Sequence, residues 1–339
     1  MGKLFLFILP FCISILRYLK VCNKVIMRKI VLVLTLILAV SSAYAQQEPQ
    51  FSQNMFNHLT VNPGYAGSND AICATLFFRQ QWMGLEGAPT TEVLSASTPM
   101  KGTNFGVGII IMQDQIGFSD NKLINLAFSY QLETDIGKFG FGLSGGLFNH
   151  YLDGDWMVIP EDGQGEGNAF SDPLIPNAES VMALDLNFGV FLNSDNYYFG
   201  ISSTHINNPS FDYNKNASSF LARHYYVTGG YVIQLPNPNF ELTPSIFIKS
   251  DGTSSQFEFN ALALYKKLYW GGVSYRLGDA YSAMFGMELA NRIKFGIAYD
   301  FTTSEMATFN SGGSIEIMLG YCFNVNFSMR PGEQGTVRF

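Results

Sequence analysis

Beyond residue 46 apolar and polar residues alternate with a period of two along most of the chain, and no period of 3.6 persists. From Asn121 to Glu133, Ile124, Leu126, Phe128, Tyr130 and Leu132 share one face. Asn125, Ala127, Ser129, Gln131 and Glu133 share the other. From Lys138 the apolar set is Phe139, Phe141, Leu143 and Leu147, against Gly140, Gly142, Ser144 and Gly146. Met182, Leu184, Leu186, Phe188, Val190 and Leu192 oppose Asp185, Asn187 and Gly189; Ile315, Ile317, Leu319 and Tyr321 oppose Glu316, Met318 and Gly320. About fourteen such segments lie between 71 and 323, most of them roughly ten residues long, the length a tilted strand needs to cross a bilayer. A soluble sandwich also alternates. A sandwich would bury the large apolar face of every strand in one core, whereas a closed barrel turns that face to lipid and the Gly, Ser and Asn face to a lumen. The expectation is an all-β transmembrane antiparallel β-barrel of about fourteen strands, of outer-membrane type.

The connections carry a second signal. Those expected after even-numbered strands are short: 99–103, 134–136, 194–195, 234–239, 266–267 and 290–292. Longer ones follow odd-numbered strands: 83–90, 114–120, 152–179, 207–222 and 302–312, although 251–254 and 278–279 are short too. Short periplasmic turns and longer outer loops would put both barrel termini in the periplasm. The 152–179 connection carries Asp153, Asp155, Glu161, Asp162, Glu166, Asp172 and Glu179; their spacing fits no EF-hand, and a solvated acidic loop is expected.

Composition agrees: 15% aromatic and only 14% charged residues, with a net charge of −7 that disfavours nucleic acid as a partner. Ahead of the barrel, Met27 opens a leader pattern: Arg28 and Lys29, an apolar run from Ile30 to Val40, then Ala43-Tyr44-Ala45. The expected organisation is an upstream extension (1–26), a signal peptide (27–45), a periplasmic or plug segment (46–70), the barrel (71–323) and a periplasmic tail (324–339). An uncleaved N-terminal anchor helix is the competing reading of the leader.

Removing the leader takes Cys12 and Cys22 with it. Cys73 and Cys322 remain, opening the first strand and closing the last on lumen parity, and are candidates for a cross-strand disulfide. Gly142-Leu143-Ser144-Gly145-Gly146 fits a hydrolase pattern, but it lies inside an alternating strand with no helix after it. His58, His150, His205 and His224 show no metal-ligand spacing, and no nucleotide motif occurs, so neither an enzyme nor a cofactor is expected. Lumen parity also collects Asp185, Glu258, Arg276, Glu288, Lys294 and Glu316. They form either a conduction path or, the preferred reading, a hydrated ion-pair network.

Specific blocks then carry a resemblance. Glu48-Pro49-Gln50-Phe51-Ser52-Gln53-Asn54-Met55-Phe56-Asn57 and Val61-Asn62-Pro63-Gly64-Tyr65-Ala66-Gly67 closely resemble the opening of the PorP/SprF family of type IX secretion membrane proteins. That opening typically reads DPQFSQYMFN and then NPAYAG. Arg79-Gln80-Gln81-Trp82, Gly84, Gly87-Ala88-Pro89-Thr90, Ser97-Thr98-Pro99, Gly200 to Pro209, His224-Tyr225-Tyr226, Pro244-Ser245 and Trp270 to Arg276 are similar to it as well. Departures are small: Glu48 for Asp, Asn54 for an aromatic, His58-Leu59-Thr60 in a variable stretch and Gly64 for Ala. The resemblance implies a role in type IX secretion or gliding in the Bacteroidota. The partners it implies are other secretion subunits (a periplasmic ring lipoprotein or protein), the C-terminal domains of secreted cargo, or an adhesin. Its candidate contact residues are Phe51, Ser52, Gln53, Phe56, Asn62, Pro63, Tyr65, Arg79, Gln80, Gln81 and Trp82. A diffusion channel for small polar or hydrophobic solutes is the alternative function.

Overall fold

The computed structural model describes residues 48–69, 71–153, 179–214, 217–289, 292–309 and 312–323. Strands β1 (Ile72–Gln80), β2 (Thr90–Pro99), β3 (Phe105–Ile116), β4 (Ser119–Thr134), β5 (Gly137–Leu152), β6 (Glu179–Asn193) and β7 (Tyr197–Thr204) pair antiparallel in sequence order. The sheet continues through β10 (His224–Tyr231), β12 (Phe240–Ser250), β13 (Ser255–Tyr265), β14 (Tyr269–Arg276), β15 (Ala280–Glu288), β16 (Ile293–Thr302) and β17 (Ser314–Phe323). β17 then pairs with β1, closing the ring. The two-residue β11 (Ile233–Gln234) continues β10 along β12 in the same register. It is a separate element because the ladder breaks opposite Pro244, which has no N–H to give. The ring therefore has fourteen staves, and its even number and closure leave no unpaired edge in hydrocarbon.

The alternation maps onto the two faces as expected. Leu126, Phe128, Leu143, Phe188, Ile201, Val273 and Phe285 are exposed on the outside, while Asn125, Ser129, Ser144, Asn187, Ser202 and Ser274 are buried inside. At the end where β1 begins and β17 ends, here the near end, outward rings pair across neighbouring strands. Phe105 and Tyr130 lie 5.4 Å apart, and Phe240 and Tyr265 lie 4.7 Å apart. Amphipathic aromatics gather in this way where hydrocarbon gives way to headgroups.

Two connections at the opposite, far end differ from expectation. The 114–120 loop does not exist as such. β3 and β4 stay paired out to Ile116 and Ser119, and Gly117, at φ 55°, lets two residues make the turn. The expected loop 207–222 holds a small hairpin, β8 (Ser210–Asn214) with β9 (Ala217–Phe220). It folds inward because Phe211 is apolar and finds Phe148 at 5.5 Å and the His150 ring at 5.5 Å, both facing the lumen from β5. Most of the acidic 152–179 connection, the leader and the 324–339 tail lie outside the described residues.

Candidate functional site: the lumen and its N-terminal segment

Residues 48–69 run through the lumen. At one extreme Glu48 contacts His205, and Lys249 Nζ donates to its carbonyl at 3.1 Å. His205 follows β7 and Lys249 nearly ends β12, so this is the far end. At the other extreme Gly67 lies against Pro99 and Gly106, at the near end. Between them the segment makes a 3₁₀ turn at Asn54–Phe56, one helical turn α1 (His58–Val61) and a 3₁₀ turn at Pro63–Tyr65. The Asn62 side chain accepts from Gly64 N at 2.9 Å and sets the last turn, with Pro63 at its first position.

Towards the far end the anchor is ionic. Arg79 of β1 reaches Asp300 of β16 at 2.7 Å and Glu316 of β17 at 3.1 Å, all three side chains nearly inaccessible. Glu316 also accepts from the main-chain N–H of Ser52 at 2.8 Å and of Gln53 at 2.9 Å. Ser52 Oγ donates to Asp300 at 2.5 Å. A second buried arginine, Arg276, pairs with Glu258 at 2.9 Å, and Asn54 donates to the other oxygen of Glu258 at 2.6 Å. Arg276 also approaches Asp300 at 3.4 Å, so both arginines share one carboxylate. Charges removed from water persist only with this degree of pairing.

Towards the near end the anchor is steric. A β-carbon built at Gly140 would stand 2.0 Å from Gly64 O, at Gly142 2.2 Å from Pro63 C, and at Gly106 2.2 Å from Ala66 O. These wall positions accept no side chain while the segment is docked. Hydrogen bonds complete the fit. Gln131 Nε2 donates to Gly64 O at 3.1 Å and Ala66 O at 2.7 Å, Ser129 Oγ donates to Ala66 O, and Ser202 Oγ donates to Val61 O at 2.6 Å. Aromatic contacts fill the rest: Phe51 with Phe77 at 5.6 Å, Phe56 with Trp270 at 5.3 Å, and Tyr65 with Phe191 at 5.1 Å.

His205 closes the far end between two carboxylates, donating its Nδ1–H to Asp185 (2.6 Å) and touching Glu48. Burial alone would push its imidazole down. The charge of Glu48 and the hydrogen bond to Asp185 prevail and hold it up at about 10. A cavity bordered by Glu48, Lys249, Glu258 and Arg276 offers about 30 Å³, room for a water molecule or two.

Of the residues singled out from sequence, Phe51, Ser52, Gln53, Phe56, Asn62, Pro63, Tyr65 and Arg79 meet one another or the wall inside the barrel. Gln81 is buried and its N–H donates to Pro89 O at 2.9 Å; Trp82, at φ 44°, donates its N–H to Ser314 Oγ at 3.2 Å. Gln80 faces outward. Asp185 also accepts from Asn125 and Asn187, at 2.7 and 2.9 Å, and Lys294 approaches Glu288 at 3.9 Å. Cys73 and Cys322 are register partners with Cα atoms 4.1 Å apart, and their sulfurs are bonded. Ser144 of the hydrolase-like pattern accepts from Asn187 Nδ2 at 2.9 Å. Among the described residues no group of three or more His, Cys, Asp or Glu side chains is placed to hold a metal. Sequence reading missed Asp300, Lys249 and His205. Asp300 has the parity of Lys294 on one strand, so alternation alone marks its face.

Residues 43–321 match the family described as type IX secretion system membrane protein PorP/SprF. The chain belongs to that family. The PorP/SprF match covers the docked segment and all but the last two residues of β17, so wall and segment fall within one family unit. No curated protein matches the sequence. Among solved structures, this PorP/SprF chain is similar to the Ralstonia pickettii toluene transporter TbuX (10% identity, 78% of this chain and 92% of that one, TM-score 0.44). It is also similar to the CymD monoaromatic hydrocarbon channel (12%, 78% and 91%, TM-score 0.45) and to Omp33 of Acinetobacter baumannii (8%, 75% and 97%, TM-score 0.41).

Proposed function

We propose that this PorP/SprF chain is a non-enzymatic outer-membrane subunit of type IX secretion that supports export or surface anchoring of cargo such as adhesins, with a link to gliding. In this reading its lumen is sealed rather than conducting, and its partners are periplasmic ring subunits and the C-terminal domains of cargo. The observation that carries the sealed lumen is the segment 48–69, held at both ends of the barrel by buried contacts. A diffusion channel would need that space free. The short turns at the near end support a periplasmic placement of the barrel termini, and the leader pattern supports cleavage after Ala45.

Two measurements test this. Purified protein in planar bilayers should give little or no steady conductance, and deletion of 46–70 should open it; large, stable conductance from the intact chain would instead favour the channel. In parallel, the intact chain should co-purify secretion subunits from membranes. Failure to do so in the native host would remove the secretion role.

A further inference from the structure

Many of the hydrogen bonds between wall and segment end on main-chain atoms, beside those made by the side chains of Glu48, Ser52, Gln53, Asn54 and Asn62. Glu316 takes two consecutive N–H groups, of Ser52 and Gln53. Ser202, Gln131, Ser129 and Lys249 give to the carbonyls of Val61, Gly64, Ala66 and Glu48. Every polypeptide carries these groups, so this part of the surface reads chain direction and local shape. The wall glycines act in the same sense, since the atoms a β-carbon would strike at Gly106, Gly140 and Gly142 belong to main chain. Side-chain selection adds to this: small size where Gly64 and Ala66 press on the wall, and polar groups at Glu48, Ser52, Gln53, Asn54 and Asn62. The segment continues into the barrel only through Ala71 and β1, so it can leave without disturbing the ring of staves.

We infer that the lumen is a polypeptide-binding channel with an exchangeable occupant. The chain's own segment 48–69 fills it at rest, and the tail of a partner protein that takes up the same turns, small at the two positions facing Gly140 and Gly106, takes its place. That the partner is a secretion subunit or a cargo protein rests on the proposed function; the recognition of main chain does not. The displaced segment then leaves through the near end, where its join to β1 lies.

The test uses the full chain with a protease site inserted after Asn69, folded first and cut afterwards. A fluorescent synthetic peptide of residues 48–69 is added in excess, and retention is read by anisotropy and by mass spectrometry of the resident segment. Exchange of resident for labelled peptide is expected. A peptide changed only at side chains that touch no wall residue should still bind, and one with leucine in place of Gly64 and Ala66 should not. Gly142→Ala in the barrel should weaken binding by about ten-fold. Should the cut chain keep its resident peptide indefinitely, a barrel lacking 48–69 and refolded with the labelled peptide gives the second readout. No retention there, with heat-modifiable mobility showing an intact barrel, overturns the inference. If peptide binding fails while secretion subunits still co-purify, the inference falls and the proposed function stands. If the peptide binds and no subunit co-purifies, the reverse holds.

Discussion

The two ends of the docked segment are held by different physics. Around Ser52 and Gln53 the wall supplies charge: Arg79, Arg276, Asp300, Glu258 and Glu316, on β1, β13, β14, β16 and β17. Around Asn62 to Gly67 it supplies absence, with glycines on β3 and β5 where any side chain would collide. The ionic anchor is a set of mutually dependent groups, so losing one strands the others. The steric anchor is a shape, and small additions degrade it by degrees. A segment fixed by shape alone would slide along a smooth wall, and one fixed by charge alone would swing about a single point. Together they define both depth and rotation in the lumen.

The largest expected effect breaks the ionic anchor. Arg79→Ala leaves Asp300 and Glu316 buried with weakened compensation, which should cost about 3–5 kcal/mol of stability. The midpoint of guanidinium unfolding in detergent should fall accordingly, and Arg79→Lys should recover only part of it, because one ammonium cannot serve both carboxylates with the same geometry. A midpoint unchanged in Arg79→Ala would mean that the cluster is hydrated and slack.

Next comes the steric anchor. Gly142→Ala sets a methyl group against Pro63 and should weaken docking by about 1–3 kcal/mol, seen as protease cutting within 60–69 while the barrel stays resistant. The same substitution at Gly145 is the control, since its nearest neighbour is the Leu186 side chain at 3.3 Å, and it should leave the digest unchanged. Equal cutting in both would remove the distinction between the two anchors.

A smaller effect separates the far-end tip from either anchor. Because His205 is held protonated up to about 10 against an ordinary 6.5, its attraction for Glu48 is complete below pH 6.5 and fades as pH climbs towards 10. Labelling of a cysteine placed at Gln50, expressed per thiolate, should therefore quicken across that window with His205 present and stay flat in His205→Gln. Labelling that quickens equally in both would remove His205 from the account.

The smallest effect concerns the seam. Cys73→Ser should leave both anchors and the labelling pattern as they are, while the unreduced wild-type protein should weigh two hydrogens less than its reduced form. Two free thiols in intact-mass spectra would break the bond that joins β17 to β1.

Much of this was legible in the chain. Alternation alone locates fourteen strands, assigns Cys73, Glu316 and Arg276 to the inner face, and separates short turns from most long loops. What it does not carry is pairing over distance. Nothing near Asp300 says that its partner is Arg79, 221 residues away. Nor does the Gly140-Phe141-Gly142 pattern say that its empty places are filled by Pro63 and Gly64. The glycines read from sequence as the small face of a crowded lumen; the structure shows which main chain crowds it. The far-end hairpin was hidden for a different reason. Phe211 and Tyr213 make too brief an alternation to stand out from a loop, and the Phe148 and His150 rings on β5 give Phe211 a reason to turn in.

One consequence follows from the position of Glu48 relative to the seam. The segment begins at the far mouth and is tethered at the near one, beside Cys73, so it has a mechanical polarity. A pull towards the far side draws the segment up against its own join at the near mouth, so the chain still threads the lumen. A pull towards the near side, where that join lies, can draw the segment out of the lumen whole. A machine working from the near side of the membrane would need far less force to empty this barrel than one pulling from beyond it.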